Sequence, residues 1–195
     1  MSEPLSGPEL VVTPTGLTNR TGRYEKRLAD LDGLFADAGA FAARLAQEAD
    51  RVIYHVDEFR PSEAAGDLIT GISTLSPGKV GDEFHMTRGH IHAKHDRAEI
   101  YHCLAGHGLM LMETLDGQTV VTELRPGVIA YVPPVHIHRS VNVGDTDLVT
   151  VFCYPADAGQ DYGIIARAGG MRHLAVGGTG AEPWRLEENP NYVAR

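Results

Sequence analysis

Residues 89–106 read GHIHAKHDRAEIYHCLAG, and this stretch decides how we expect the chain to fold. His90 and His92 stand two apart in a β-like run, so their side chains leave the same face of one strand. The turn KHDR at 94–97 then reverses the chain, and Glu99 opens a second strand. The sequence therefore predicts a hairpin that places two imidazoles and one carboxylate on the same side of adjacent strands.

Short strands separated by turns extend from this hairpin in both directions. The 195 residues include 22 glycines and 11 prolines, which is more typical of an all-β fold than of a helical bundle. We predict β-like runs at 51–56, 68–74, 83–93, 98–106, 108–113, 120–124, 128–133, 138–143 and 148–155. This number of short runs is typical of a sandwich, a jelly roll or a small barrel.

Histidines make this region a candidate for metal chemistry. Eight of the ten histidines fall between residues 85 and 138, and His138 lies on a later strand than the hairpin. Three histidines and one glutamate with open coordination positions suit iron, manganese, zinc, nickel or cobalt. Zinc alone more often shows a closed tetrahedral set. We expect His85, His95, His102 and His107 not to be ligands. His136 shares strand parity with His138, and its role is left open.

Composition excludes several classes of partner. A formal net charge of −9 makes nucleic acid and anionic membranes poor partners. No run of eighteen apolar residues and no secretory leader is visible, so we expect no membrane span. Two cysteines give no disulfide framework, and a reducing cytoplasm is the expected compartment.

The ends of the chain differ from its centre. Residues 1–22 predict an extended arm, and the residues from Tyr24 to Asp50 have a helical composition, with Asp37 as the N-cap of a short helix through Glu48. We divide the chain into an N-terminal arm and short helix (1–50), a barrel (51–163) and a tail that wraps the barrel (164–195).

Two motifs resemble the cupin superfamily, which folds as a double-stranded β-helix or jelly-roll barrel. The first motif matches His90, His92, Glu99 and Gly106, and the second matches Gly127, Pro133, His138 and Asn142. Val135 stands where the second motif usually has glycine. The resemblance implies a metal held by His90, His92, Glu99 and His138.

The stretches 69–108 and 123–145, with YPADAGQDYG at 154–163, more closely resemble the cupin-type glucose-6-phosphate isomerases. The resemblance implies one divalent metal per subunit, with Fe²⁺ expected and Mn²⁺, Zn²⁺, Ni²⁺ or Co²⁺ as alternatives. It implies a phosphosugar substrate, a homodimer and a role in glycolysis and gluconeogenesis. The phosphate would be held at positions matching Ser73, Thr87, Gly89 and Tyr154. Tyr54, Tyr101 and Tyr162 match residues of the sugar site. Gln160 stands where the family usually has His.

Isomerisation between an aldose and a ketose moves hydrogen between C1 and C2. Glu99 could remove the C2 proton while Tyr54 and Tyr101 orient the hydroxyls, and a hydride shift without a base would fit the same site. Gln160 can still hydrogen-bond a sugar hydroxyl. Four basic residues flank the ligand strands: Arg88, Lys94, Arg97 and Arg139. They either offset the acidic surface locally or are solvated charges at its rim. The alternative functions are an iron dioxygenase with the same ligands and a non-catalytic cupin that binds sugar phosphates.

Overall fold

The structure is a computed structural model that describes residue 7, residues 9–13 and residues 15–195. The described residues form fifteen strands, two α-helices and one 3₁₀ turn. The strands are β1 Val12–Thr13, β2 Gly16–Leu17, β3 Gly22–Arg27, β4 Val52–Phe59, β5 Leu68–Leu75, β6 Lys79–Val80, β7 Glu83–Phe84, β8 Glu99–Ala105, β9 Gly108–Thr114, β10 Thr119–Leu124, β11 Ile129–Val132, β12 His136–Asn142, β13 Leu148–Pro155, β14 His173–Gly177 and β15 Trp184–Glu188. The helices are α1 Ala38–Glu48 and α2 Gly163–Arg167, and the 3₁₀ turn is Leu28–Leu31.

One wall of the barrel is a six-stranded antiparallel sheet in the order β11-β8-β13-β5-β4-β3. Side chains alternate between its two faces, so β4 turns Tyr54 and Val56 inward. On β8 the buried Glu99 and the exposed Ile100 show the same alternation. This sheet therefore supplies one lining of the interior.

The opposite wall combines β10-β9-β12 with the smaller sheet β15-β14-β7-β6. Single bridges from Met86 to Val141 and from His90 to His138 attach the segment after β7 to β12. Met110 and Met112, which pair with Ser140 and His138 on β12, are buried between the layers. The predicted all-β jelly roll, with an N-terminal arm and short helices, is confirmed.

The predicted hairpin between the His90 strand and the Glu99 strand is wrong. β8 pairs with β11 and β13, whereas His90 bridges to His138 and Ile91 bridges to Asp161. The run predicted at 83–93 is a strand only at Glu83–Phe84 and continues through isolated bridges. Glu99 and the histidines therefore meet across the barrel interior rather than along one strand pair.

The N-terminal region is helical only in part. Helix α1 begins as predicted, with the Asp37 carboxylate accepting a hydrogen bond from the Ala40 amide at 2.8 Å. The residues from Tyr24 to Arg27, predicted to be helical, instead belong to β3, which pairs with β4 at the sheet edge. Of the predicted arm, residues 1–6, 8 and 14 lie outside the described residues.

No helix within the described residues has the length and apolar character needed to span a bilayer.

Candidate metal centre and its cavity

Four buried side chains converge inside the barrel. His90, His92, Glu99 and His138 each offer one ligand atom, and these atoms lie within 4.8 Å of one another. The Oε2 atom of Glu99 is 3.1 Å from Nε2 of His92, 3.0 Å from Nε2 of His138 and 3.9 Å from Nε2 of His90. β8 supplies the carboxylate, β12 supplies His138, and the segment bridged to β12 supplies the other two imidazoles.

The second nitrogen of two of these rings fixes how they face the cluster. Nδ1 of His92 donates to the Arg97 carbonyl oxygen at 2.9 Å, and Nδ1 of His138 donates to the His136 carbonyl oxygen at 3.2 Å. With Nδ1 of each ring bonded to a carbonyl oxygen, Nε2 faces the Glu99 carboxylate, and a metal bound there would take the place of any Nε2 proton. Outer hydrogen bonds of this kind orient metal-binding histidines.

The electrostatics of the cluster also suit a cation. Burial alone would raise the pKa of Glu99, but hydrogen bonds from His138 and His92 outweigh burial and lower it to about 2. Burial and the neighbouring His138 lower the pKa of His90 well below its usual value, and its Nε2 is buried without a hydrogen-bond partner. Three imidazole nitrogens around an ionised carboxylate form a donor set that fits a divalent transition metal.

The remaining histidines lie apart from this cluster. Nδ1 of His136 lies 2.9 Å from the Pro134 carbonyl oxygen, and Nε2 of His107 lies 2.7 Å from Glu123. The completely buried His85 contacts the Ser76 carbonyl oxygen. The structure thus brings the four predicted ligands together and does not bring His136 with them.

A cavity of about 180 Å³ opens beside the cluster, far larger than one water molecule needs. It lies between the two walls, and every predicted site residue except His92 lines it. Those lining residues are Tyr54, Ser73, Thr87, Gly89, His90, Glu99, Tyr101, His138, Tyr154, Gln160 and Tyr162. His92 lies behind the lining, with its ring centroid 5.6 Å from that of Tyr154.

The tyrosines of the cavity keep their protons near neutral pH. Burial raises the pKa of Tyr54 to about 12, and burial together with the Glu99 carboxylate raises that of Tyr101. The Tyr162 hydroxyl donates to the side-chain oxygen of Gln160. The protonated phenols of Tyr54 and Tyr101 can therefore donate hydrogen bonds to an oxygen-rich ligand.

Of the four basic residues that flank the ligand strands, two line the cavity. Arg88 and Arg139 are part of the lining, and burial lowers the pKa of Arg139 to about 10. Lys94 and Arg97 instead bind the Asp157 carboxylate, each at 2.8 Å. Because these charges are neutralised at the protein surface, Lys94 and Arg97 do not add positive charge to the cavity.

Sequence reasoning missed several lining residues. They are Tyr24, Val56, Glu58, Arg60, Ser140 and Phe152. A signal for Val56 and Glu58 was present, because both share strand parity with Tyr54 on β4. Tyr24 gave no such signal, because its segment has a helical composition and becomes a strand only by pairing with β4.

Backbone geometry around the ligands explains two residue choices. Gly89 has φ +74°, and a Cβ there would lie 2.9 Å from the His138 carbonyl oxygen, so only glycine fits beside the bridge. Val135, in place of the usual glycine, has φ +65°. The left-handed turn before His138 is thus retained with a β-branched residue in it.

Comparison with known proteins agrees with this site. The family model described as "Glucose-6-phosphate isomerase (GPI)" matches residues 25–192. A glucose-6-phosphate isomerase of Sinorhizobium medicae is 50% identical over 175 residues, which cover 90% of this chain and 81% of that protein. One of Thermococcus litoralis is 44% identical over 155 residues, covering 80% of this chain and 81% of that protein.

Among solved structures, oxalate oxidase in complex with the substrate analogue glycolate aligns over 56% of this chain and 55% of its own. The sequence identity is 19% and the TM-score is 0.46. This partial likeness bears on neither substrate nor chemistry.

Proposed function

This chain belongs to the glucose-6-phosphate isomerase family and interconverts glucose 6-phosphate and fructose 6-phosphate, and from that premise we propose how its cavity does so. The observation that carries the proposal is the approach of Nε2 of His92 and of His138 to one oxygen of Glu99. The relatives do not favour an iron dioxygenase or a non-catalytic sugar-phosphate binder.

His90, His92, Glu99 and His138 would hold one divalent metal, for which Fe²⁺ is our proposal and Mn²⁺, Zn²⁺, Ni²⁺ and Co²⁺ are the alternatives. When bound, a metal would supply Lewis-acid stabilisation of the negative charge that develops on the sugar oxygens. The imidazoles are held for this role by the carbonyl oxygens of Arg97 and His136.

Glu99 is the proposed base. The three imidazoles all approach its Oε2, which leaves Oε1 to take the proton from C2 of the open-chain sugar and return it to C1. Its low pKa makes it a weak base in the ligand-free arrangement, so we expect substrate binding to lengthen the contacts with the imidazoles. O2 also loses its hydroxyl proton and O1 gains one. Tyr54 and Tyr101, which remain protonated, orient these two oxygens and relay that proton between them.

The rest of the cavity would receive the remaining hydroxyls and the phosphate. We propose that Ser73, Thr87, Gly89 and Tyr154 hold the phosphate and that Gln160 and Tyr162 contact sugar hydroxyls; all six line the cavity. Gln160 accepts a hydrogen bond from Tyr162, which fits a positioning role rather than proton transfer.

Turnover of fructose 6-phosphate tests the metal proposal. The protein would be stripped with a chelator and reloaded separately with Fe²⁺, Mn²⁺, Zn²⁺, Ni²⁺ or Co²⁺. We expect activity to return with metal and to be absent in His138→Ala. His136→Ala is the matched control, because it lies on the same strand outside the cluster. Activity in the stripped protein, or in His138→Ala, would contradict the proposal.

Isotope transfer tests the role of Glu99. With glucose 6-phosphate deuterated at C2, proton transfer through Glu99 predicts partial loss of deuterium to water. Complete retention of the label at C1 would indicate a hydride shift and remove the base role. Glu99→Gln, assayed with its metal content measured, should lose turnover even when metal is bound, and full turnover would contradict the assignment.

We also propose a homodimer. Ile100 on β8 and Ile129 and Tyr131 on β11 form a neighbouring apolar group on the outer face of the large sheet, and Ile129 and Tyr131 are more than half exposed. Such a patch favours association with a second copy. Ile129→Glu with Tyr131→Glu should sediment as a monomer, while Val120→Glu on β10 should not change the assembly. A monomeric unsubstituted chain would contradict the proposal.

Cytoplasmic location and a role in glycolysis and gluconeogenesis complete the proposal, because charged sugar phosphates do not readily cross a lipid bilayer.

A further inference from the structure

Strand β4 presents an ion pair to the cavity. Tyr54, Val56 and Glu58 follow the period of two that turns side chains to the inner face, and Arg60 follows just beyond the strand end. Asp57 points the other way and is bound by Arg23 at 3.1 Å on the outer face. Glu58 and Arg60 are therefore a second pair of opposite charges, and this pair lines the cavity.

The contacts of Arg60 are long. Its Nε lies 3.3 Å from Glu58 Oε1, and its Nη2 lies 3.4 Å both from Glu58 Oε2 and from the Tyr154 hydroxyl. The Arg97 guanidinium, by contrast, binds Asp157 at 2.9 and 2.8 Å. Contacts at the outer limit of hydrogen-bond distance are weak, so Arg60 can exchange its partner at small cost.

A second guanidinium belongs to the same cavity. Arg88 lies over the ring of Tyr162, 5.0 Å from its centroid, and no carboxylate of the described residues forms a salt bridge with it. The cavity lining thus has three guanidinium groups, those of Arg60, Arg88 and the buried Arg139, in addition to the histidine–glutamate cluster. Only Arg60 has a carboxylate partner within the cavity lining.

We propose that Arg60 binds the substrate phosphate together with Arg88, and that Glu58 competes with the phosphate for Arg60 and so limits its affinity. The inference rests on the proposed function and adds the element that sets selectivity for a phosphorylated sugar. Arginine pairs with phosphate through two parallel hydrogen bonds, which a dianion satisfies better than a distant carboxylate does. Glu58 acts through Arg60 and is a positioning residue.

This arrangement has a definite consequence for ligand affinity. Phosphate binding to Arg60 has two costs. Glu58 loses its guanidinium partner, and its free carboxylate then repels the phosphate. Replacing the carboxylate with an amide removes both penalties. Glu58→Gln should therefore strengthen phosphate binding, in contrast to the loss expected when most cavity residues are changed.

Titration calorimetry of the metal-loaded full chain with inorganic phosphate tests this directly at about pH 8, where phosphate is mostly a dianion. We expect the Kd to fall about fivefold in Glu58→Gln and to rise about tenfold in Arg60→Gln. In the double variant the effect of Glu58→Gln should become smaller, because the competition for Arg60 is gone and only the repulsion between Glu58 and phosphate remains. Glu63→Gln is the matched control: Glu63 is 3.7 Å from Arg60 but largely exposed.

Steady-state kinetics adds a readout that a purely structural role would not move. The KM for fructose 6-phosphate should follow the phosphate Kd across the variants, with a smaller change in kcat. Arg60→Lys, which keeps the charge, should recover part of the affinity and covers the case in which Arg60→Gln folds poorly.

An unchanged or weaker phosphate affinity in Glu58→Gln would overturn the inference, as would an equal response in Glu63→Gln. The calorimetry needs no turnover, so an inactive enzyme that shows the expected phosphate pattern would contradict the proposed chemistry and leave this inference standing.

Discussion

Nε2 of His138 lies 3.0 Å from Oε2 of Glu99, although 39 residues separate them and they belong to different sheets. The His138 bridge to His90 attaches the other ligand segment to the same wall. A metal held here would connect the two walls of the barrel. Its removal should therefore affect stability as well as activity.

Chelation should lower the melting temperature of the protein. A ligand present at a thousandfold excess over its Kd stabilises the folded state by about 4 kcal/mol. For a chain of this size, each kcal/mol corresponds to about 2–4 °C in Tm. Calorimetric scans with and without metal measure the difference, which His138→Ala should abolish and His136→Ala should retain. Equal Tm values for the loaded and stripped wild-type protein would rule out this connection.

Acid should destabilise the fold partly through His85, which is completely buried. Burial lowers its pKa from 6.5 to about 4, so the unfolded chain takes up a proton first as pH falls. The contribution of His85 to the free energy of unfolding is fully present above about pH 6.5. It decreases as the pH falls toward 4, by at most about 3 kcal/mol in total.

Urea unfolding between these pH values measures the slope of the free energy of unfolding. His85→Gln should reduce that slope, whatever its effect on stability at neutral pH. Gln118→Asn, at an exposed turn, provides the control, because it removes no ionisable group. A wild-type slope in His85→Gln would show that His85 does not titrate as described.

Val135→Gly should stabilise the protein. Val135 has φ +65° and is 41% exposed, so glycine relieves backbone strain while little apolar surface is lost. We expect a net gain of about 1 kcal/mol. This is the energetic cost of the left-handed conformation for valine, minus the stability lost because glycine makes the unfolded chain more flexible. Val120→Gly, at an equally exposed strand position, should instead destabilise by about 1 kcal/mol. A lower Tm for Val135→Gly would contradict the strain argument.

Asn142→Asp should be strongly destabilising. The buried amide nitrogen of Asn142 donates to the carbonyl oxygens of Leu75 and Thr146, both at 2.8 Å, and its oxygen accepts from the Gly144 amide. A carboxylate cannot donate, so a buried charge would face two carbonyl oxygens, at a cost of about 3 kcal/mol or more. Equilibrium unfolding measures this loss. Gln118→Glu at an exposed turn should change stability by less than about 0.5 kcal/mol, and a similarly small loss at Asn142 would refute the argument.

Local patterns predicted the barrel strands well because side chains of a strand alternate between the interior and the outside, and this alternation is visible in the sequence. The runs from Ile53 to Val56 and from Leu109 to Met112 coincide with observed strands. Tyr24 lay in a segment of helical composition and became a strand only by pairing with β4, which no local pattern encodes. The division at residues 50 and 163 stays a prediction.

Spacing suggested His90, His92 and Glu99 as ligands, and the cupin resemblance added His138, but neither predicted their geometry. His90, His92 and Glu99 suggested a hairpin because they are close in sequence, whereas β8 pairs with β11 and β13. Which strands pair depends on the whole sheet, and periodicity cannot specify it. Likewise, the partners of Lys94 and Arg97 could not be foreseen, because Asp157 reaches them only after folding.

Because metal ligands from both walls of the barrel meet at one site, the distance between the walls affects catalysis. Packed sheets lie about 10 Å apart, a separation set by the side chains between them. Substitutions at Met110 or Met112, which pair with Ser140 and His138 and face the interior without lining the cavity, would shift one wall against the other and change the positions of the ligands. Adaptation of this enzyme to a new temperature can therefore proceed through its core, with every residue of the cavity left unaltered.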